Sequence, residues 1–232
     1  MDTNAKAHAF VVDLDVPELD RGDRHHFSRV LRLRPGDEIT VSDGEGRWRL
    51  CIFGDPLEPS GPVEHEPQPG PRLTVSFAVV KGERTEWAVQ KLVELGIDAV
   101  IPFVADRSVV RWDPARSASH HLRLAKVARQ AAMQSRRARL PEIEPLRSFA
   151  EVAARPAVAL SDANGVPPSL SWPNVMVGPE GGWSTDEQQA NLPRVRLAPT
   201  VLRSETAAVA AGTLLVALRE GLVVSTIRHA QG

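Results

Sequence analysis

The stretch Gly178-Pro179-Glu180-Gly181-Gly182-Trp183-Ser184-Thr185-Asp186-Glu187 decides how this chain is read. It follows a short apolar run, Val175-Met176-Val177, and it ends with Ser184 and Glu187 at the spacing of a capping box. The expected unit is strand, glycine loop, helix. In an α/β protein such a loop stands at the carboxyl end of a strand, where ligands bind, and its three glycines allow a ligand close to the main chain. Pro-Glu-Gly-Gly is also good turn chemistry with no ligand at all, so the loop alone is not decisive.

A second segment shifts the balance. Leu197-Ala198-Pro199-Thr200-Val201-Leu202-Arg203-Ser204-Glu205-Thr206-Ala207 again runs from a short strand, Arg194 to Leu197, through a loop into a helix. That helix, expected over Ala207 to Leu218, is small and apolar on nearly every side. A charged Arg-Ser-Glu-Thr cluster at its mouth is costly unless paired or used. Two adjacent strand-to-helix loops then form one pocket. The pocket is of neither common phosphate type: Gly44-Glu45-Gly46 sits in a hairpin and opens no helix, and Gly178 to Ser184 lacks a Lys-Ser/Thr pair.

Outward from these loops, the chain changes character near residue 70. Pro56 to Pro71 holds six prolines and two glycines in sixteen residues, which excludes a helix and leaves at most an edge strand around Val63 to Glu66. Before it the pattern is mostly strands, Ala7 to Val12, Glu38 to Ser42 and Trp48 to Phe53, with one helix around Asp23 to Leu33. This suggests a small β-barrel over residues 1–70. After it, over 71–232, strand alternates with helix: Leu73 to Val80, Glu83 to Leu95 closed by Gly96, Ala99 to Val104, Arg116 to Arg139, and Ala157 to Leu160. That alternation argues for an α/β fold with a parallel sheet covered on both faces.

The chain of 232 residues, 42% of them hydrophobic, has material for two modest cores. No run approaches a membrane span and no basic, then apolar, leader is seen, so a soluble cytoplasmic protein is expected. The one cysteine, Cys51, excludes an internal disulfide and reads as a small buried hydrophobe. The pairs His25-His26 and His120-His121 lack metal-ligand spacing, so no metal is expected. Net charge is −1, yet the charge is clustered. Arg116, Arg123, Lys126, Arg129, Arg136, Arg137 and Arg139 occur with no acidic residue between them, and Arg21, Arg24, Arg29, Arg32 and Arg34 form a second group. Arg123, Lys126, Arg129 and Arg137 are expected near one helical face. Solvated helix faces usually mix charges, so phosphate contact explains such groups better.

Gly178 to Gly182 followed by Leu202-Arg203-Ser204-Glu205-Thr206-Ala207 is similar to the paired signatures of the RsmE family, methyltransferases that modify N3 of a uridine in 16S ribosomal RNA. The likeness extends to Lys81-Gly82-Glu83-Arg84, Gln90 to Ile97, Ile101-Pro102, Gln134-Ser135-Arg136-Arg137, Leu140 to Ile143 and His26 to Arg32. It covers nearly the whole chain in order. Three positions depart from the pattern: Ala198 stands where glycine is usual, Met133 where glutamate is usual, and Arg136 where glycine is common.

The resemblance implies a PUA-like barrel followed by a SPOUT domain whose C-terminal segment forms a trefoil knot, an exception to the unknotted rule. It implies S-adenosylmethionine as cofactor, held by Leu160, Val177, Gly178, Glu180, Gly181, Gly182, Leu197, Ala198, Leu202, Ser204, Thr206 and Ala207. The expected RNA contacts are Arg24, Arg29, Arg32, Lys81, Arg84, Lys91, Arg123, Lys126, Arg129, Gln134, Arg136 and Arg137. A homodimer is implied, and the apolar helix from Ala207 points the same way. Transfer to uracil N3 needs a base, or a cation that stabilises the anion. Arg203 is expected in the electrostatic role. Glu205 either accepts the proton or holds Arg203 in place. Two competing functions remain open at this stage, methylation of a ribose 2′-hydroxyl on the same fold and a non-catalytic ribosome-assembly protein.

Overall fold

Contacts within the chain divide it into two compact units: Met1–Pro69 with Arg129–Leu140, and Gly70–Ala128 with Pro141–Gly232. A computed structural model describes residues 4–110 and 113–223. The first unit contains β1 (His8–Phe10), α1 (Arg21–His25), a π-helical turn His26–Val30, β2 (Glu38–Ser42), β3 (Arg47–Ile52), β4 (Glu58–Pro59) and β5 (Glu64–His65). β1 runs parallel to β2, and β3 pairs antiparallel with β2, β4 and β5. Gly44 and Gly46, with φ of 81° and 102°, turn the chain between β2 and β3. A Cβ on Gly46 would stand 2.6 Å from the Glu66 carbonyl oxygen, so glycine is needed there twice over.

Alternating residues of these strands, Ala9, Val11, Ile39, Val41 and Cys51, meet Phe27, Phe53 and Leu57 in one core. Burial pushes the Cys51 thiol up to about 11. The helix expected around Asp23 to Leu33 is present over Arg21–Val30, α-helical for its first turn and π-helical after it. Arg32 takes φ of 56°, and the Leu33 amide donates to the Phe27 carbonyl at 2.9 Å. That closure directs Phe27 and Leu33 inward and leaves Arg29 and Arg32 outside.

The second unit holds β6 (Thr74–Ala78), α2 (Arg84–Leu95), β7 (Ala99–Val104), α3 (Pro114–Gln134), β8 (Glu142–Ile143), β9 (Arg147–Ser148), α4 (Phe149–Ala153), β10 (Val158–Val166), β11 (Asn174–Val177), α5 (Thr185–Gln188), β12 (Arg194–Val195) and α6 (Ser204–Arg219). Its sheet has the order β12-β10-β11-β6-β7-β8, with β9 also on β7, and every pairing is parallel. Val75 to Ala78, Ala99 to Phe103 and Asn174 to Val177 are buried at every position. Strands covered on both faces read as unbroken apolar runs, which is why these stood out in the sequence. α2 ends as expected: Gly96 is left-handed at φ 103°, and Gly96 and Ile97 donate to Val93 and Leu92 in a Schellman motif. α6 packs on α2 so closely that a Cβ on Gly212 would lie 2.6 Å from Leu92 Cδ2.

Helix α3 departs from expectation. It stops at Gln134 rather than Arg139, in a second Schellman motif: Arg136 is left-handed at φ 56°, Arg136 donates to Met133, and Arg137 donates to Ala132. Arg136, Arg137 and Arg139 therefore do not continue the helical face of Arg123 and Lys126. Arg129 is also not a free surface cation. Its guanidinium grips both Asp23 oxygens, at 3.1 and 2.6 Å, donates to the Phe10 carbonyl, and lies 5.9 Å from the Phe10 ring centroid.

Beneath this pair, His8 is buried, bonded through Nδ1 to Thr40 Oγ1 at 2.9 Å and packed edge-on against Phe10. Desolvation, with the charges of Arg136 and Arg129 adding, lowers its pKa from the ordinary 6.5 to about 4, against a partial upward pull from backbone hydrogen bonding to Arg137 and Thr40. Between those two values the unfolded chain holds a proton that the folded unit excludes, so stability falls as pH drops through that window and is unaffected above it. The first unit should lose up to ~3 kcal/mol between pH 7 and pH 4 on this account. Denaturant unfolding at both pH values should show that loss, and His8→Leu should remove it. An unchanged acid dependence in the variant would assign the effect elsewhere.

Candidate functional site

The order β12-β10-β11 sets three parallel strands side by side with their carboxyl ends at one edge. Residues within β10 and the chain that leaves β11 and β12 contribute to one cavity of about 390 Å³, inside the range of small-molecule sites. Ser161, Asp162 and Ala163 come from β10. Val177 to Glu180, Gly182 and Trp183 follow β11, and Arg196 to Ala198, Thr200 to Leu202, Ser204 and Ala207 follow β12. Arg107, from the loop after β7, completes the lining beside Gln188.

The first loop is held by packing as much as by hydrogen bonds. Trp183 is 6% exposed, stacks on Phe103 at 6.2 Å between centroids, meets Phe149 edge-on, and donates Nε1–H to the Ser161 carbonyl at 2.9 Å. The Ser184 capping box is present in both directions, with Glu187 buried and accepting also from the Asp106 amide. Ser184 Oγ donates to Asp106 Oδ2 at 2.5 Å, and Arg107 donates to the Gly181 carbonyl at 3.1 Å. Ser204 Oγ donates to the Gly178 carbonyl at 2.8 Å, which ties the second loop to the first.

The three glycines have separate causes, and these lie in the protein itself. A Cβ on Gly178 would stand 3.1–3.3 Å from the Trp183 indole, and one on Gly181 would stand 3.1 Å from Arg107 Cβ. Gly182 has open space but φ of 70°, a conformation that favours glycine. These two packing reasons and one backbone reason stand beside the expected one, close approach of a ligand, since Gly178 and Gly182 both line the cavity.

Of the residues expected to hold a cofactor, Val177, Gly178, Glu180, Gly182, Leu197, Ala198, Leu202, Ser204 and Ala207 line the cavity. Leu160 lies in the core beneath it, Gly181 backs onto Arg107, and Thr206 is exposed on the first turn of α6. Arg203 is the N-cap residue of α6, exposed, and makes no side-chain hydrogen bond or ion pair with the described residues. Glu205 does not hold it. The carboxylate of Glu205 is buried and accepts instead from Arg84 Nη1 at 3.3 Å, while its other oxygen, Oε2, has no partner among the described residues. Arg84 Nη1 also reaches Glu180 at 3.4 Å. The sequence does not single out Arg107, Arg196 or the Ser161-Asp162-Ala163 stretch of β10. The last was findable, because it follows the apolar run Val158-Ala159-Leu160 as the other two loops follow theirs. Asp162 is paired with Arg194 at 2.6 Å.

The expected RNA contacts are scattered in role. Arg29, Arg32, Lys81 and Lys126 are exposed, with no side-chain partner among the described residues, and Gln134 is exposed. Arg24 bonds the Gly54 carbonyl, Lys91 pairs with Glu94, and Arg123 pairs with Glu86 at 3.1 Å. No group of three or more His, Cys, Asp or Glu among the described residues is placed to hold a metal ion, and no described helix is long and apolar enough to cross a membrane.

Residues 66–216 match a family model described as an RNA methyltransferase domain, and residues 19–56 match an RNA methyltransferase PUA domain. A protein of Mycobacterium tuberculosis named ribosomal RNA small subunit methyltransferase E is 34% identical over 224 residues, 84% of each chain. The Bacillus subtilis protein of that name is 28% identical over 211 residues, 79% of this chain and 82% of its own. The crystal structure of the Neisseria gonorrhoeae protein of that name, bound to S-adenosyl methionine, is similar with a TM-score of 0.76 at 27% identity, covering 91% of this chain and 97% of the other.

Filling the space under the first loop tests its architecture. Gly178→Ala forces its methyl against a buried indole fixed on three sides, and should cost about 1–3 kcal/mol in denaturant unfolding. Gly178→Ala in a Trp183→Leu background should cost less. Equal losses in both backgrounds would mean that the ring is not the obstacle.

Proposed function

This chain belongs to the RNA methyltransferase family that includes ribosomal RNA small subunit methyltransferase E, and from that membership we propose its reaction: transfer of a methyl group from S-adenosylmethionine to N3 of a uridine in 16S ribosomal RNA. The observation that carries the reading is the cavity at the ends of β10, β11 and β12, lined by both signature loops. Its chemistry fits the cofactor. Backbone amides and carbonyls of the loops suit adenine edges, and the side chains of Arg107, Arg196, Glu180 and Asp162 offer both signs of charge to a molecule with a carboxylate, an ammonium and a sulfonium. When bound, the cofactor supplies an electrophilic methyl.

The protein's own task is to orient the base and manage the N3 proton. Arg203 is exposed at the start of α6 and its guanidinium has no partner among the described residues, so it is the residue for the negative charge that spreads onto O2 and O4 as N3 loses its proton. Glu205 is committed to Arg84, which favours a structural role over proton acceptance, so the N3 proton passes to solvent water. RNA is held by Arg29 and Arg32 of the first unit and by Lys81 and Lys126 of the second, and the substrate puts the working enzyme in the cytoplasm.

The knot expected for this fold is supported by one local feature. The Leu160 amide donates to the Pro193 carbonyl and the Arg196 amide donates to the Val166 carbonyl, each at 2.8 Å, so β10 and its continuation hold the Arg194–Val195 strand at both ends. A Cβ on Gly165 would lie 2.5 Å from the Val195 backbone. A crystallographic chain trace with Val195 outside this loop would sink the knot. The homodimer is supported by α6, whose Val209, Leu214, Val216 and Leu218 remain only half-buried, and by Val201, 97% exposed beside it. Light scattering at micromolar concentration should give twice the 25.3 kDa chain mass; the mass of one chain would rule the dimer out.

Mass analysis of nucleosides from small-subunit RNA incubated with enzyme and cofactor should show 3-methyluridine. A 2′-O-methyl nucleoside would move the target to ribose, and no product on either naked RNA or subunits would leave a binding protein. In single turnover Arg203→Ala should lose about a hundredfold in rate at saturating RNA, the scale of a lost oxyanion donor. Arg32→Ala should keep that rate but weaken RNA binding and flatten its salt slope by about one.

A further inference from the structure

Arg84 is the one residue among those described whose side chain bonds to both pocket loops. Its Nη1 reaches Glu180 Oε1 of the first loop at 3.4 Å and Glu205 Oε1 of α6 at 3.3 Å, while Nε donates to the Lys81 carbonyl at the start of its own helix. The two carboxylates belong to segments about 25 residues apart in sequence and would repel each other without a cation between them. Glu205 is 7% exposed, so its charge is poorly screened by water. Glu180 lines the cavity, and Glu205 is one residue after Ser204, which lines it too and bonds the Gly178 carbonyl. The two loops thus meet at a neutral contact, Ser204 with Gly178, and at a charged one centred on Arg84.

The sequence reading placed Arg84 on the RNA. We propose instead that Arg84 is a positioning residue: its guanidinium clamps the loop of Glu180 to the first turn of α6, and so sets the width of the cofactor cavity and the place of Arg203, two residues before Glu205. This rests on the cavity being the S-adenosylmethionine site. The neighbouring cation Arg123 does not substitute for it, being paired with Glu86 and Glu83. Lys81 is exposed and shows no bond to either carboxylate.

Titration calorimetry with S-adenosylmethionine on the full chain tests the clamp without any turnover. Arg84→Met keeps length and removes charge, and should weaken cofactor binding by about tenfold, the effect of losing roughly one ion-pair coupling in a partly buried place. Arg84→Lys should recover part of the loss. Arg84→Met combined with Glu205→Gln should also recover part of it, because it removes the buried one of the two opposed charges; a residue that merely fills space would not be rescued this way. Wild-type affinity in folded Arg84→Met, or a loss that neither second change relieves, overturns the proposal. If Arg84→Met binds cofactor normally but loses RNA affinity and salt slope, the phosphate role is the correct one. If the wild-type protein itself fails to bind S-adenosylmethionine, the reading of the cavity fails, and that result is separable from every outcome for Arg84. Should Arg84→Met not fold, Glu205→Gln with Arg84→Lys carries the same test, since that pair keeps a cation for Glu180 while cutting its bridge to α6: binding equal to that of Arg84→Lys alone would overturn the clamp.

Discussion

The constraint on which the second unit depends is the burial of its parallel sheet on both faces. Once Val75 to Ala78, Ala99 to Phe103 and Asn174 to Val177 are enclosed, charged chemistry has no room along these strands, where the buried polar pair Ser76 and Asn174 bond each other. It is confined to the ends, and the order β12-β10-β11 brings three ends together. Everything that makes the cavity follows from how the chain leaves those strands: a tryptophan that turns back under β10, a serine cap, and a helix that starts three residues earlier than its apolar pattern announces.

Charge in this protein is spent largely on joining pieces of the fold. Arg129 with Asp23, Arg155 with Glu144, Arg194 with Asp162 and Arg219 with Asp98 each connect segments distant in sequence. The Arg155 guanidinium, with Arg147 beside it, holds the Glu144 carboxyl below its ordinary range. A near-zero net charge and a count of arginines are therefore poor guides to the nucleic-acid surface. The arginines of the first unit that stand outside those pairs include Arg21, Arg29, Arg32 and Arg34, all exposed, with Arg29 and Arg32 turned outward by the π-helical closure behind Phe27.

Much of the fold was legible because it rests on local rules. Glycine at the end of α2, serine and glutamate at the start of α5, and unbroken apolar runs for the central strands each have one physical reading, and β2 and β7 were found to the residue. The site was legible to the level of loops. Which atoms line it was not, because lining depends on tertiary neighbours: Leu160 looks like a loop-proximal apolar residue but belongs to the core cluster with Met176 and Trp183, and the contact of Gly178 with the Trp183 indole has no local signal. The end of α3 failed for a different reason. Arginine is rarely left-handed, and only the fit of Arg136 into a Schellman closure makes that conformation acceptable. The short elements β8, β9 and α4 carry too few residues for any periodicity to show.

Cys51 sits at the centre of the first unit, fully buried, with its thiol held far above neutrality. At physiological pH the native protein offers almost no thiolate, and the sulfur is sealed from reagents besides. Opening of the first unit restores an ordinary, reactive thiol. Because the chain has no other cysteine, alkylation rate becomes a private clock for that unit's opening, readable while the methyltransferase unit stays closed.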